Sequence, residues 1–351
     1  MTAPDDSWLD GGATDQHEPP YGTWFVAIVS TSLFALGVTG LLSNMAVLAV
    51  HYADRRLVSA IDNVFVRNLN FADLVICMTA IPLTFVLVIT GSGHQSSAVC
   101  LAHEASTSFA CLASAANVVV VSVNRQNRIA DSYSRQIEPR HMTTAIVATW
   151  VVAIAGAIIP VSVVALTSHD DNAAFWNATS TAASHTCFRR MLTVDARIYW
   201  DICYTGVFVV ASVAVVVSYA RILYTARNRL RVRMAMIRAV LVAFPVVGPV
   251  KACPASDALK SQGKTVKWMS LLVIATFLLC WSPYYVTRFL MSDIHDATVV
   301  LRLEKLEFVF LTLAYLTISL HPFIYGFSRR AIRNAVAEHL TCCTAIDFAA
   351  P

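Results

Sequence analysis

Seven long apolar runs in this chain each carry a few side chains that a hydrocarbon phase would reject, and those are the residues with chemistry to offer. In order they are Asn44 in GLLSN, Asp73 in LNFADL, Arg125 in VSVNRQNRI, Trp150, Tyr219 in SYARI, Trp281 and Pro283 in FLLCWSPYY, and His321, Pro322 and Tyr325 in HPFIYGFSRR. An ionisable group in a bilayer costs roughly 2.5–3.5 kcal/mol on insertion scales, so Asp73 and Arg125 are functional candidates by default. Covalent chemistry fits poorly. A membrane metalloprotease needs His-Glu-x-x-His on one helix face, and the chain has no such motif. A retinal Schiff base needs a lysine deep in the last run, where Tyr315 stands instead and Lys305 lies near the outer end. A transporter would show repeated halves or Gly/Pro-broken spans around a midplane site, and no internal repeat is visible. The chain is not expected to be an enzyme.

The elements that position these residues follow from composition. The 351 residues are 57% hydrophobic and 14% charged, against about 25% charged in a soluble domain. A crossing helix needs about 20 mostly apolar residues. The runs Trp24 to Val50, Val64 to Ile89, Cys100 to Val123, Met142 to Leu166, Ile198 to Leu223, Trp268 to Phe289 and Leu306 to Phe327 all qualify. Helices are expected, because backbone groups in lipid must be satisfied within their own segment. The fold class is therefore an all-α seven-helix membrane bundle. An eighth apolar stretch, Met234 to Val250, contains Arg238, Pro245 and Pro249 and is expected to lie on the membrane surface without crossing it.

Orientation follows from Lys and Arg in the connections. With the N-terminus outside, 20 of the 26 fall on the inner side, and the first 50 residues carry acids but no Lys or Arg. The net charge of +4 then belongs to the inner membrane face, with no nucleic-acid partner implied. The acidic, polar N-terminus predicts no cleavable signal peptide, so the first span is expected to act as signal anchor. Residues 1–23 are read as an extracellular N-terminus, 24–327 as the bundle with a third inner loop at about 224–267, and 328–351 as a cytoplasmic surface helix and tail. Asn177 heads a glycosylation sequon in the second outer loop. Cys100 and Cys187 both lie on the oxidising side and are expected to pair. Cys77, Cys111, Cys203 and Cys280 are read as small packing residues within spans. Cys342 and Cys343 follow a basic amphipathic stretch, a setting for palmitoylation.

The order and spacing of these features, including the 25 residues from Cys100 to Arg125, resemble the rhodopsin-like (class A) G-protein-coupled receptors over roughly residues 24–343. Within that family, HEASTSFACLASAANVVVVSVNR, MSLLVIATFLLCWSP and HPFIYGFSRR look like an orphan subfamily that also has His before the last-span proline. The resemblance implies a multi-pass plasma-membrane receptor with an extracellular ligand and a heterotrimeric G protein as partners. In such receptors the inner ends of the fifth, sixth and seventh helices rearrange when an outer pocket is occupied, a population shift between packed states. Arg125 would face the G protein. Tyr219 and Tyr325 would turn toward it, although either could be an interfacial aromatic. Trp281 and Phe277 would pack at a kink made by Pro283. By the same carry-over the outer pocket would be lined by His103, Glu104, Thr107, Cys111, Trp281, Tyr284, Tyr285, Arg288 and Tyr315. Asn44, Asp73 and Ser114 match a sodium-binding pocket, and membrane lipid and arrestin are further expected partners.

Three departures from the family bear on mechanism. Asn124 and Gln126 flank Arg125 where the family has an acid and a tyrosine, and SQGKTVKW supplies Lys264 and Lys267 but no acid from the sixth helix. This predicts raised ligand-independent activity. The alternative is a non-coupling decoy or scaffold that modulates a partner, a reading that Gln126 and Ala211, where relatives often have proline, would serve. His321 replaces an asparagine next to the sodium pocket. There it would either stand in for the cation when protonated or sit as a neutral hydrogen-bonded histidine. Thr107 occupies the position of the amine receptors' aspartate, which disfavours monoamines; no other ligand class follows. Inhibitory (Gi/o) coupling is what the resemblance suggests. A tail with few hydroxyls, Ser328, Thr341 and Thr344, predicts weak or loop-driven arrestin recruitment.

Overall fold

Among the described residues of a computed structural model of the chain, six helices are long and apolar enough to cross a membrane. The model describes residues 21–53, 61–92, 95–130, 139–167, 187–192, 194–243, 275–291 and 296–327, together with Trp268, Leu272 and Ile294. The crossing segments are Thr23–Ala53, Val64–Thr90, Ser97–Val123, Arg140–Leu166, Ile198–Met236 and Thr298–Ile324, and residues 275–290 form a further helix in the place of the sixth span. Among the described residues there is no strand. Spans three and seven are the most buried, while spans one, four and five turn most of their surface outward. Outward faces carry side chains that suit lipid, such as Phe34 and Leu42 on span one and Val151, Ile154 and Ile158 on span four.

Local chemistry explains where the helices bend or stop. Span two is divided at Thr79 into Ile61–Met78 and Ala80–Thr90. Pro82 cannot donate to the Met78 carbonyl four residues back and its ring crowds that turn. Thr79 covers the break by donating its hydroxyl to the Val75 carbonyl at 2.7 Å. Span seven starts at Ala297, nine residues before the expected Leu306, because Asp296 caps it. The Asp296 carboxylate accepts from the Thr298 and Val299 amides at 2.8 and 3.3 Å. Those bonds and the Thr298 hydroxyl hold its carboxyl below the usual carboxylate range. Arg302, Glu304 and Lys305, which precede the expected start at Leu306, are thus inside the helix. At the other end Pro322 has no N–H for the ladder, and the backbone passes into a π-helical turn at Pro322–Phe327.

Span five is one helix from Val194 to Ala243. Residues 234–243, expected to lie apart on the membrane surface, continue that helix, and 244–250 fall outside the described residues. Ala211 sits in its middle without a break. Spans three and four approach closely at Gly156, where a Cβ would fall 2.6 Å from Leu112 Cδ1 and 3.3 Å from the Ser108 carbonyl. Small residues allow such approaches in membrane bundles. Cys77, Cys111 and Cys280 are buried as expected, whereas Cys203 faces outward on span five.

Candidate functional site

Cys100 and Cys187 are joined by a disulfide, which ties the connection before span five to the head of span three. Beneath it the end of the bundle that carries the disulfide is filled with charge. Glu104 lies one turn along from Cys100 and is 2% exposed; Arg288 on span six is 4% exposed. They form an ion pair, Arg288 Nη2 to Glu104 Oε1 at 2.8 Å and Nη1 to Oε2 at 2.9 Å. This fork-on-fork arrangement is the stronger form of an arginine–carboxylate contact. Nη1 also donates to the Tyr284 hydroxyl at 2.8 Å and lies 3.6 Å from Glu307 on span seven. The guanidinium sits 5.2 Å from the centre of the Tyr204 ring, a cation–π contact. Trp200 donates its indole N–H to Glu104 at 3.3 Å. One arginine therefore holds spans three, five, six and seven together.

Aromatic rings continue this cluster into the bundle. Trp200 stacks on Tyr204 at 5.2 Å, Tyr204 meets Tyr285 at 5.1 Å, and Tyr285 stacks on Phe208 at 4.1 Å. Phe208 then reaches Phe277, one turn from the fully buried Trp281. On the span-seven side, Thr84 donates to the Ala80 carbonyl at 2.8 Å, so its oxygen accepts from His103 Nε2 and the Tyr315 hydroxyl, each at 3.0 Å. Glu304, one turn before Glu307, accepts from Ser92, whose side chain and amide both bond the Tyr21 hydroxyl at 3.0 and 3.1 Å. Burial and the neighbouring Glu304 raise the Tyr21 phenol above its ordinary range. The void left between Glu104, Glu304, Glu307, His103 and Phe188 is about 20 Å³, room for about one water. Among the described residues, side chains of the chain itself bridge the helices at the place where the sequence predicts a ligand.

Deeper in the bundle, His321 Nδ1 lies 2.9 Å from Asp73 Oδ2, with both groups buried. Asn44 donates to the Gly40 and Ile318 carbonyls at 2.8 and 3.3 Å. Among the described residues, Asp73 Oδ1, Asn44 Oδ1 and Ser114 Oγ are buried without hydrogen-bond partners. A carboxylate, an amide and a hydroxyl oxygen are hard donors of the kind that suit a small cation. The donor atoms of the residues expected to form a sodium pocket are thus of the right chemistry for one, with His321 beside the second carboxylate oxygen. Nearby, Trp150 donates to Asn68 at 2.9 Å and Asn68 donates to Asn117 at 2.7 Å, linking spans four, two and three.

At the opposite end, Asn124, Arg125 and Gln126 lie in the helix Ser97–Ala130, but their side chains are outside the described residues, as is that of Tyr325 in the π-helical turn. Tyr219 is fully buried on span five. Pro283 lies within the helical stretch 275–290, and Thr287 donates to its carbonyl at 2.9 Å. Asn177, Lys264, Lys267, Cys342 and Cys343 fall outside the described residues. All the residues that the sequence reading expected to line an outer pocket are buried, and Arg288 contacts Glu104 and Tyr284 directly. That reading missed Arg189, Asp201, Glu304 and Glu307. Asp201 in YWDIC and Glu307 were legible as acids inside expected apolar runs; Glu304, three residues before Glu307, was hidden by the late start expected for span seven.

Comparison with known proteins follows the same lines. Residues 43–325 match the family described as 7 transmembrane receptor (rhodopsin family). G-protein coupled receptor 22 of Rattus norvegicus is 25% identical, with 93% of this chain and 82% of that protein covered. The human protein of the same name is 25% identical, with 97% and 84% covered. The 5-hydroxytryptamine receptor 4 of Cavia porcellus is 22% identical, with 92% and 81% covered.

Proposed function

Since the chain belongs to the rhodopsin-like family of seven-transmembrane receptors, multi-pass proteins of the plasma membrane, we propose that it signals to inhibitory (Gi/o) heterotrimeric G proteins with raised ligand-independent activity. The observation that carries this reading is Asn124-Arg125-Gln126 at the inner end of span three. A carboxylate beside the arginine would add a charge-assisted contact worth about 1.5–3 kcal/mol to the resting state, and asparagine offers a neutral acceptor in its place. Because about 1.4 kcal/mol is tenfold in a two-state population, the missing restraint enlarges the active fraction. The filled outer site supports the same direction, since it needs no external molecule to bridge spans three, five, six and seven. The inhibitory type rests on likeness to relatives.

His321 deepens this reading. Asp73, Ser114 and Asn44 would hold a sodium ion, which supplies positive charge to the pocket. His321 lies 2.9 Å from Asp73 and occupies one oxygen of the carboxylate that would hold the ion, so coupling is expected to depend weakly on sodium. A second reading, a non-coupling receptor that modulates a partner, draws support from Gln126 and from the unbroken fifth helix through Ala211. G-protein activation in cells without added ligand separates the two. A response from the inhibitory type that disappears with Arg125→Ala supports coupling; silence across all G-protein types supports the modulator.

A further inference from the structure

Span five is 50 residues long, about 75 Å of helix, where a hydrocarbon core of about 30 Å takes about 20 residues. The surplus lies at the end from Arg221 to Ala243, which carries six arginines and no acid. By its charge this end is the cytoplasmic one. Because the helix continues without a break, Val232 stands roughly 17 Å and Ala239 roughly 27 Å along the axis beyond Arg221.

This projection presents an apolar strip to water. Val232 and Met236 are 48% and 63% exposed, and Ala235 and Ala239 are exposed beside them. Positions 232, 235, 236 and 239 have the i, i+3, i+4, i+7 spacing of a single helix face. Arginines edge that face on both sides. Arg229 and Arg233 run along one edge, and Arg227, Arg231 and Arg238 along the other. Like charges four residues apart on a helix repel, so acids brought by a partner stabilise it. Membrane lipid is poorly placed to supply them. The charge of anionic headgroups is screened over about 8 Å in physiological salt, less than half the distance from Arg221 to Val232.

We infer that the end of span five is a docking helix for an acidic cytosolic protein that closes an apolar groove around an amphipathic helix, the chemistry of a calcium-opened helix pair. Val232 and Met236 enter the groove, and the arginine edges meet carboxylates on its rims. An apolar face with basic flanks is the pattern such grooves read. Docking makes access to the inner end of span five depend on cytosolic calcium. The contact is separate from that of Arg125 with a G protein and rests on the cytoplasmic placement of this helix end.

The probe is calcium-loaded calmodulin, titrated by fluorescence anisotropy against the full chain in phosphatidylcholine nanodiscs. The wild type should bind saturably and lose the probe when calcium is chelated. Val232→Glu/Met236→Glu should weaken binding about tenfold or more, because both changes put a charge into the apolar contact. Arg231→Gln/Arg238→Gln, which leaves the strip intact, should weaken it roughly threefold and flatten its salt dependence. These side chains are exposed, and an unchanged Tm shows that a variant folds; if one variant does not, the other carries the comparison. No saturable binding by the wild type, or undiminished binding by a folded variant, overturns the inference. So does binding that vanishes when about a third of the lipid is phosphatidylserine, since the helix end would then lie on the anionic membrane.

Discussion

Removing the Arg288 guanidinium should do more damage than removing either carboxylate it serves. In Arg288→Met, Glu104 keeps the Trp200 indole bond at 3.3 Å but loses its paired cation at 2.8 Å, and Glu307 loses its cation at 3.6 Å. The side chains of Arg288 and Glu104 are 5% and 3% exposed, so water screens them little. Stripping one partner from a buried pair costs about 3–5 kcal/mol. At roughly 2 °C per kcal/mol for a chain of this size, Tm of the purified protein should fall by roughly 6–10 °C. Glu104→Gln alone should cost less, because Arg288 keeps Glu307 and Tyr284. The double variant Arg288→Met/Glu104→Gln should recover most of the loss, since replacing a buried pair as a unit is often near neutral. The reasoning fails if Arg288→Met melts like wild type, or if the double variant melts as low as Arg288→Met.

Other outcomes follow from the inner end and the middle layer. Asn124→Asp should lower agonist-free signalling by about tenfold, the population equivalent of about 1.4 kcal/mol; unchanged basal signalling would remove the argument from the missing acid. G-protein affinity of the wild type should change little on sodium titration, and His321→Asn should introduce a sodium effect that Asp73→Asn then abolishes. A strong sodium effect already present in wild type and lost in Asp73→Asn would contradict this reading of His321. Arrestin recruitment should be weak and insensitive to truncation after Gly326, so robust recruitment that vanishes on truncation would show the tail hydroxyls to be sufficient.

Much of this architecture is legible in the sequence because a bilayer imposes a single coarse rule, about 20 apolar residues per crossing. Every described span overlaps an expected run, and the disulfide joins the two cysteines expected to pair; the nearness of Asp73 to His321 and of Glu104 to Arg288 was legible only through the resemblance to the family. Helix ends were less legible. The expected start at Leu306 left Glu304 outside span seven, yet Asp296 caps a helix whose Glu304 and Glu307 turn inward to Ser92 and Arg288. Charges paired inside a bundle look in sequence like charges in water. Partner choice was hidden for the same reason: Arg189 reaches Asp201 across 12 positions and touches the Arg288 carbonyl across 99. Span five ran past Leu223 because arginines spaced along a helix do not themselves end it, and no proline intervenes before Ala243.

The central claim is that this chain couples to a G protein through Arg125 without waiting for a ligand. Its most direct test is agonist-free activation of inhibitory G protein in cells that express wild type and Arg125→Ala at equal surface levels. The account predicts a wild-type signal above that of untransfected cells that Arg125→Ala abolishes; equal signals from the two proteins would contradict it.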